Sequence, residues 1–359
     1  MFLTPGQTLR SRPLVNRFRL VLPIVFALVA ATSIAACGGD SGNEGQPAPS
    51  GSSRAMPSGT TAATPSGTTE APPLGGGELI VFERVVPGAE ERDLYAVGPD
   101  GGEPSLLASP GGYPHWSPDG STLAFSACLN PPGCTNGVAL LERSTGDVHG
   151  FSTPDTALEM HCGFAWSPDG ERLACEIYGV DDPKRNGVYT IRASDGKGLT
   201  RITSNPGGDD FPLAYSPDGS QLLLDRTDPA RVEPANRALF VTPVSGGQPQ
   251  RITPWGYADD YASWSPDGRT IVFGTNGFLY RTRPSGRGLD KITLKMPDGS
   301  SAINAFDVSF SPDGRRIVFS LGSPEPGLYT AHVDGSDVKQ LTTSPTEDHH
   351  ANWSAASGS

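Results

Sequence analysis

The sequence lacks the short signatures that announce covalent catalysis or cofactor binding. There is no Gly-x-Ser-x-Gly elbow, no Gly-x-Gly-x-x-Gly loop and no His-Glu-x-x-His pair. No motif therefore indicates an enzyme. Charged residues are scarce, at 18%, and positive charge is scarcer still: 27 Lys and Arg stand against 39 Asp and Glu, a formal net charge of −12. A surface of that sign repels phosphate, which excludes nucleic acid as the expected partner class and favours basic partners or cations. Cysteine is also rare, with five in 359 residues, and the spacings fit no paired-cysteine zinc pattern. What the chain has in excess is glycine and proline, 45 and 35 residues, which suits a fold made of many turns.

One short phrase recurs through those turns. It reads Trp116-Ser117-Pro118-Asp119-Gly120, followed by Leu123-Ala124-Phe125. It returns at Trp166 to Gly170, Tyr215 to Gly219, Trp264 to Gly268 and Phe310 to Gly314, and a worn copy stands at Trp353-Ser354. The aromatic positions are 50, 49, 49, 46 and 43 residues apart, a period that implies stacked supersecondary units. Ser-Pro-Asp-Gly is turn chemistry: Pro presets φ, Asp suits the next position, and Gly accepts the left-handed conformation that ends a three-residue hairpin loop. Asp119, Asp169, Asp218, Asp267 and Asp313 are accordingly read as turn formers rather than ligands. A third strand follows in each unit (Leu94-Tyr95, Val188-Tyr189, Leu239-Phe240, Leu279-Tyr280, Leu328-Tyr329). A fourth ends in Arg201-Ile202-Thr203 or its equivalents. Four short strands per repeat describe a propeller blade.

Residues 78–354 hold six such units, about 46 residues each. The first unit starts at its second strand, because Leu79 to Phe82 aligns with Leu123-Ala124-Phe125 and no aromatic-Ser-Pro-Asp-Gly strand precedes it. The orphan strand ending at Trp353 supplies the missing piece. The expected fold is all-β, a six-bladed β-propeller closed by pairing its N- and C-terminal strands, which leaves no open sheet edge at the join.

Residues 1–36 read as an export signal: Arg10, Arg12, Arg17 and Arg19, then an apolar run from Leu20 to about Ala31, then small residues. Ile34-Ala35-Ala36-Cys37 resembles the bacterial lipobox. That resemblance implies cleavage before Cys37 and attachment of lipid, palmitate included, to it. The result is an anchor on the outer face of the cytoplasmic membrane or on the outer membrane. Loss of the four arginines leaves the mature chain near −16. Residues 37–77 are rich in Gly, Ser, Pro and Thr and read as a disordered tether, as residues 355–359 read as a disordered tail. Export permits disulfides among the other four cysteines. Cys128 and Cys134 bracket one loop, while Cys162 and Cys175 lie on the two strands of one hairpin.

The repeated Ser-Pro-Asp-Gly turn, the Leu-Ala-Phe strand and the Leu-Tyr strand with its Asp-Gly turn resemble the propeller modules of the TolB family and its WD-repeat-like relatives, over about 78–354. The resemblance implies a six-bladed propeller. TolB itself carries a small N-terminal α/β domain where this chain has a tether. Related propellers cap serine peptidases, and a chain ending at Ser359 is expected to lack a hydrolase domain.

Candidate chemistry is placed by the repeat. Five residues before the repeat aromatic stand His161, Asp210, Asp259 and Asp348, with Asp209, Asp260, His349 and His350 beside them. In a closed ring these gather at one mouth of the central channel. Carboxylates there suit a hard cation such as Ca²⁺, and the histidines a transition metal. The competing reading is that the Asp residues bond nearby backbone, and adjacent histidines in a strand point to opposite faces. Trp255, Tyr257 and Tyr261 lie on or beside one of these loops and read as a partner contact or as packing over the blade edge. The expected function is a monomeric binding or scaffold module at the cell envelope that recognises a protein, peptide or glycan, with no cofactor beyond a possible Ca²⁺. The alternatives are an envelope lyase or hydrolase using the acid and His mouth, or a divergent Tol-system component.

Overall fold

The computed structural model describes residues 74–85, 92–129, 135–153, 155, 157–258, 261–344 and 346–357. Among them six four-stranded antiparallel sheets form the blades of a propeller. Blades 2 to 6 each run outward from the channel in chain order. Their innermost strands are Gly112–Trp116, Leu158–Trp166, Asp210–Tyr215, Ala262–Trp264 and Ala305–Phe310. Blade 1 takes its innermost strand, Asp348–Trp353, from the other end of the domain and pairs it with Ile80–Val85, with Ile80 opposite Trp353 and Arg84 opposite Asp348. The expected closure, three strands from the start and one from the end, is what the chain adopts.

Each repeat turn is built alike. In Ser117-Pro118-Asp119-Gly120 the Ser117 hydroxyl donates to Asp119 at 2.6 Å, and Asp119 accepts the Ser121 amide at 3.1 Å. Ser117 Oγ in turn accepts the Thr122 amide at 3.0 Å. The same three bonds recur around Asp169, Asp218, Asp267 and Asp313. Gly120 stands at φ 66°, and a Cβ there would also strike the Ala355 carbonyl, so no other residue fits.

Neighbouring blades are stitched near the axis. Trp166 Nε1 donates to the His115 carbonyl at 3.0 Å, the Phe310 amide to Ser263 Oγ at 3.3 Å, Ser309 Oγ to the Ala351 carbonyl at 2.9 Å, and the Trp116 amide to Asn352 Oδ1 at 2.9 Å. Between the sheets lie the Leu-Ala-Phe residues and their equivalents, among them Phe82, Phe125, Phe273 and Phe319, all fully buried.

Residues 74–77 and 355–357, on either side of 78–354, also pack on the propeller. The reason is Arg143, which is 2% exposed and packs over the Trp116 ring at 5.2 Å. Its guanidinium donates to the carbonyls of Gly75 and Gly77, to Gly120 O at 3.1 Å and to Ala355 O at 3.4 Å. The Leu74 amide donates to Arg143 O at 3.0 Å and the Ser357 amide to Gly76 O at 3.0 Å. A desolvated cation with several planar donors gathers the segments before and after the propeller around itself, so residues 74–77 and 355–357 are held against it. The lipobox and Cys37 lie outside the described residues, as do Cys134, Asp259 and Asp260.

Candidate functional site

The two channel openings differ. One carries the Ser-Pro-Asp-Gly turns and is called the turn face. The other carries the loops between second and third strands and those leading into each innermost strand, and is called the loop face. Strand direction places the residues five before each repeat aromatic toward the loop face.

There Asp348 and Asp210 repeat one arrangement. Asp348 is fully buried and receives Arg84 Nε and Nη2 at 2.7 and 2.8 Å and the Thr342 hydroxyl at 2.6 Å. Asp210 receives Arg226 Nε and Nη2, both at 2.6 Å, and the Thr203 hydroxyl at 2.5 Å. In both, the arginine sits directly opposite on the second strand and the threonine ends the preceding blade. These carboxylates therefore brace blade to blade. Their oxygens are occupied, and a Ca²⁺ ion would have to displace an arginine from each, so Asp210 and Asp348 are not free to hold the expected cation. Among the described residues no three His, Cys, Asp or Glu side chains converge as a metal set. The backbone of His161 lies opposite Glu176, and that of Cys162 opposite Cys175, which is disulfide-bonded. Cys128 pairs through its backbone with Asn136.

The next tier inward is a stack of rings. His350 is stacked between Tyr113 and Tyr261, with ring centroids 4.7 and 4.5 Å away, and Tyr261 in turn stacks on His115 at 5.5 Å. Tyr113, Asp307 and His350 all stand three residues before a repeat aromatic, at φ 52°, 51° and 56°. In each, the innermost strand bulges at this point. Left-handed conformations in residues other than glycine cost on the order of 1 kcal/mol each and persist only when the surroundings enforce them. Here the enforcement is ionic. His350 Nδ1 lies 2.8 Å from Glu83, its amide donates to Asp307 at 3.0 Å, Arg92 reaches Glu83 at 2.6 Å, and the Tyr113 amide donates to Glu83 as well. Burial alone would depress the His350 pKa, but Glu83 and Asp307 lift it to about 9. Burial alone would raise Glu83, but His350 and Arg92 hold it at about 2. His115, buried and beside the His350 charge, falls to about 3 and is neutral. His349 turns the other way, 3.4 Å from Asp307 and 3.7 Å from Glu347.

The three aromatics read as one contact patch are parted. Tyr261 is 4% exposed and belongs to the channel stack. Trp255 lies against Phe240 at 5.8 Å with Arg231 and Arg251 over its ring at 4.7 and 5.2 Å, and Tyr257 packs edge-on to Tyr280. Glu83, Arg92, Tyr113, Asp307 and Glu176 were missed by motif reading. The available signal was positional: Glu83, Glu176 and Asp225 all follow the Leu-Ala-Phe triplet or its equivalent.

Glu176 is buried, and its Oε1 has no hydrogen-bond partner among the described side chains. Burial raises its pKa to about 8; the Tyr178 hydrogen bond pulls down, and the charges of Asp209, Asp210 and Asp225 add to the rise. A pH dependence follows. The unfolded chain releases this proton near 4.5 and the folded chain near 8, so stability falls as pH rises across that window. The His350 contribution is full below about 6.5 and is lost as pH rises through about 9, in the same direction. Glu83 acts oppositely, losing its contribution only as pH falls from 4.5 toward 2. Melts from pH 4 to 10 should therefore peak near pH 4.5–5 and decline above it, more steeply once the His350 contribution begins to be lost above about 6.5. Glu176→Gln should gain on the order of 3 kcal/mol at pH 8.5. A melting temperature that stays level from pH 5 to 9 would contradict both assignments.

No profile of a known protein family matches the chain. An uncharacterised protein of Agrobacterium fabrum is 27% identical over 193 residues, covering 51% of this chain and 58% of that protein. Dipeptidyl-peptidase 5 of Aspergillus fumigatus is 24% identical over 255 residues, covering 64% of this chain and 34% of the peptidase. The chain thus spans less than two thirds of the curated relatives it matches. The crystal structure of TolB from Acinetobacter baumannii superposes with a TM-score of 0.59 at 20% identity, over 80% of this chain and 69% of TolB.

Proposed function

Taking a six-bladed propeller of the TolB fold as the starting point, we propose that this chain is an exported, lipid-anchored module that docks a protein or peptide on its loop face at the cell envelope. The reading rests on one observation. Of the four exposed large hydrophobic side chains among the described residues, three project from loop-face segments: Val180 at 59%, Val232 at 84% and Ile303 at 63% exposure. They share the loop face, which is the surface this reading offers to a partner. Behind them the bulged tier of Tyr113, Asp307 and His350 is tied together by ring stacking and by hydrogen bonds to Glu83 and Asp307. Support for the location comes from the sequence: residues 1–36 read as an export signal and Cys37 reads as a lipid attachment site.

The test is capture by cross-linking from solubilised envelope, with wild-type chain beside a Val232→Asp, Ile303→Asp double variant. Surface substitutions of this kind move stability by about 0.5 kcal/mol, so the variant stays folded. A partner retained by wild type and lost by the variant supports the reading. An identical captured set, with both proteins folded, rejects it.

A further inference from the structure

Beneath the Tyr113–His350–Tyr261 stack, on the turn face, lies a chamber of about 310 Å³ on the propeller axis. Its wall takes one residue from each blade, always the one just before the repeat aromatic: His115, Ala165, Ala214, Ser263, Ser309 and Asn352. No formally charged side chain lines it, in a chain whose net charge is −12. Burial of an anion or a cation there would go uncompensated. The wall is also two-sided. Blades 3 and 4 contribute Ala165 and Ala214, which leave room and an apolar surface, with Trp166 and Tyr215 beside them. Blades 5, 6 and 1 contribute hydroxyl and amide groups. Ser309 already donates to Ala351 O at 2.9 Å. Ser263 Oγ accepts the Phe310 amide but gives its own proton to no described residue, and Asn352 accepts the Trp116 amide through Oδ1, leaving its Nδ2 protons unassigned. The roof is an aromatic ring, Tyr261, its hydroxyl 3.2 Å from His115 Nε2. The volume stands at the lower end of the range for small-molecule sites, on the order of 300 Å³.

A ligand for this chamber is neutral, carries hydrogen-bond acceptors along one edge and presents an apolar face on the other. An aromatic side chain satisfies the apolar wall but leaves Ser263 and Asn352 unpaired, at a cost of about 1–3 kcal/mol each. A pyranose ring meets both demands, with its C–H face on Ala165, Ala214 and the flanking aromatics and its hydroxyls on Ser263 and Asn352. We propose that the axial chamber binds a neutral mono- or disaccharide unit entering from the turn face. This site lies on the face opposite the docking surface above and stands independently of it.

The experiment is titration of the full chain with N-acetylglucosamine, maltose and, as an anionic comparison, glucuronate. The readouts are tryptophan emission, with Trp166 and Trp264 in the chamber wall, and saturation-transfer NMR. Neutral sugars should give a saturable change at or below about 10 mM, and glucuronate should bind at least about tenfold more weakly. Ala214→Met, which fills the apolar side, should weaken sugar binding at least about tenfold, and Ser263→Ala, which keeps the volume, about fivefold. If Ala214→Met fails to fold, Ser263→Ala decides alone. Silence from every neutral sugar, binding that both folded variants leave unchanged, or preference for a tripeptide with a central tryptophan would each overturn the assignment.

Discussion

Deletion of residues 349–359 should leave a chain with no cooperative unfolding transition. The deletion strips blade 1 of its innermost strand. It uncovers Ile80 and Phe82, both fully buried, and removes Trp353 and Ala351 from the cluster they share. It also cuts the Trp116–Asn352 and Ser309–Ala351 stitches, so the blades on either side lose their hold on blade 1 together. Glu83 then remains buried beside Arg92 without His350. Loss of one partner of a buried pair costs about 3–5 kcal/mol, and the apolar exposure adds to it, against a total folding free energy of about 5–15 kcal/mol. Calorimetry of the truncated chain checks this. A sharp transition near the wild-type temperature would mean that the ring holds without its closing strand.

Arg143→Met is the second large effect, expected to lower stability by about 3–5 kcal/mol. Methionine fills much of the space over Trp116 but donates nothing, so the carbonyls of Gly75, Gly77, Gly120 and Ala355 lose their shared partner. Arg143→Lys should recover only part of the loss, because one ammonium cannot reach acceptors fanned around a plane. Melting temperature reports the size, and hydrogen exchange at the Ser357 amide, bonded to Gly76 O, reports the place. Protection of Ser357 unchanged in the methionine variant would show that other contacts seat the ends.

The repeat made the architecture legible. Turn chemistry is local, and five near-copies of Ser-Pro-Asp-Gly gave the hairpins their position. Closure was legible for a related reason: the first copy lacked its innermost strand and the last was nothing else. The roles of Asp210 and Asp348 were harder to read, because Arg226 and Arg84 become their partners only once strand register is known. Glu83 and His350 of blade 1 meet Asp307 of blade 6, and no spacing along the chain encodes that distance. Arg143 stands in a polar Glu-Arg-Ser-Thr-Gly-Asp segment, and nothing in those residues marks it for burial. Its burial depends on where the two chain ends pass, which the turn itself does not contain. The channel tiers lie between these cases, since alternation along each innermost strand marks the chamber residues once the ring is accepted.

The Arg143 clamp bears on how the domain meets mechanical load. A pull applied through Leu74 reaches the Gly75 and Gly77 carbonyls before it reaches the Ile80–Val85 strand. Those carbonyls share one guanidinium with Ala355 at the opposite terminus, so tension on one end is passed directly to the other. A propeller hung by its leading end would thus be gripped at the seam where it is otherwise easiest to unzip.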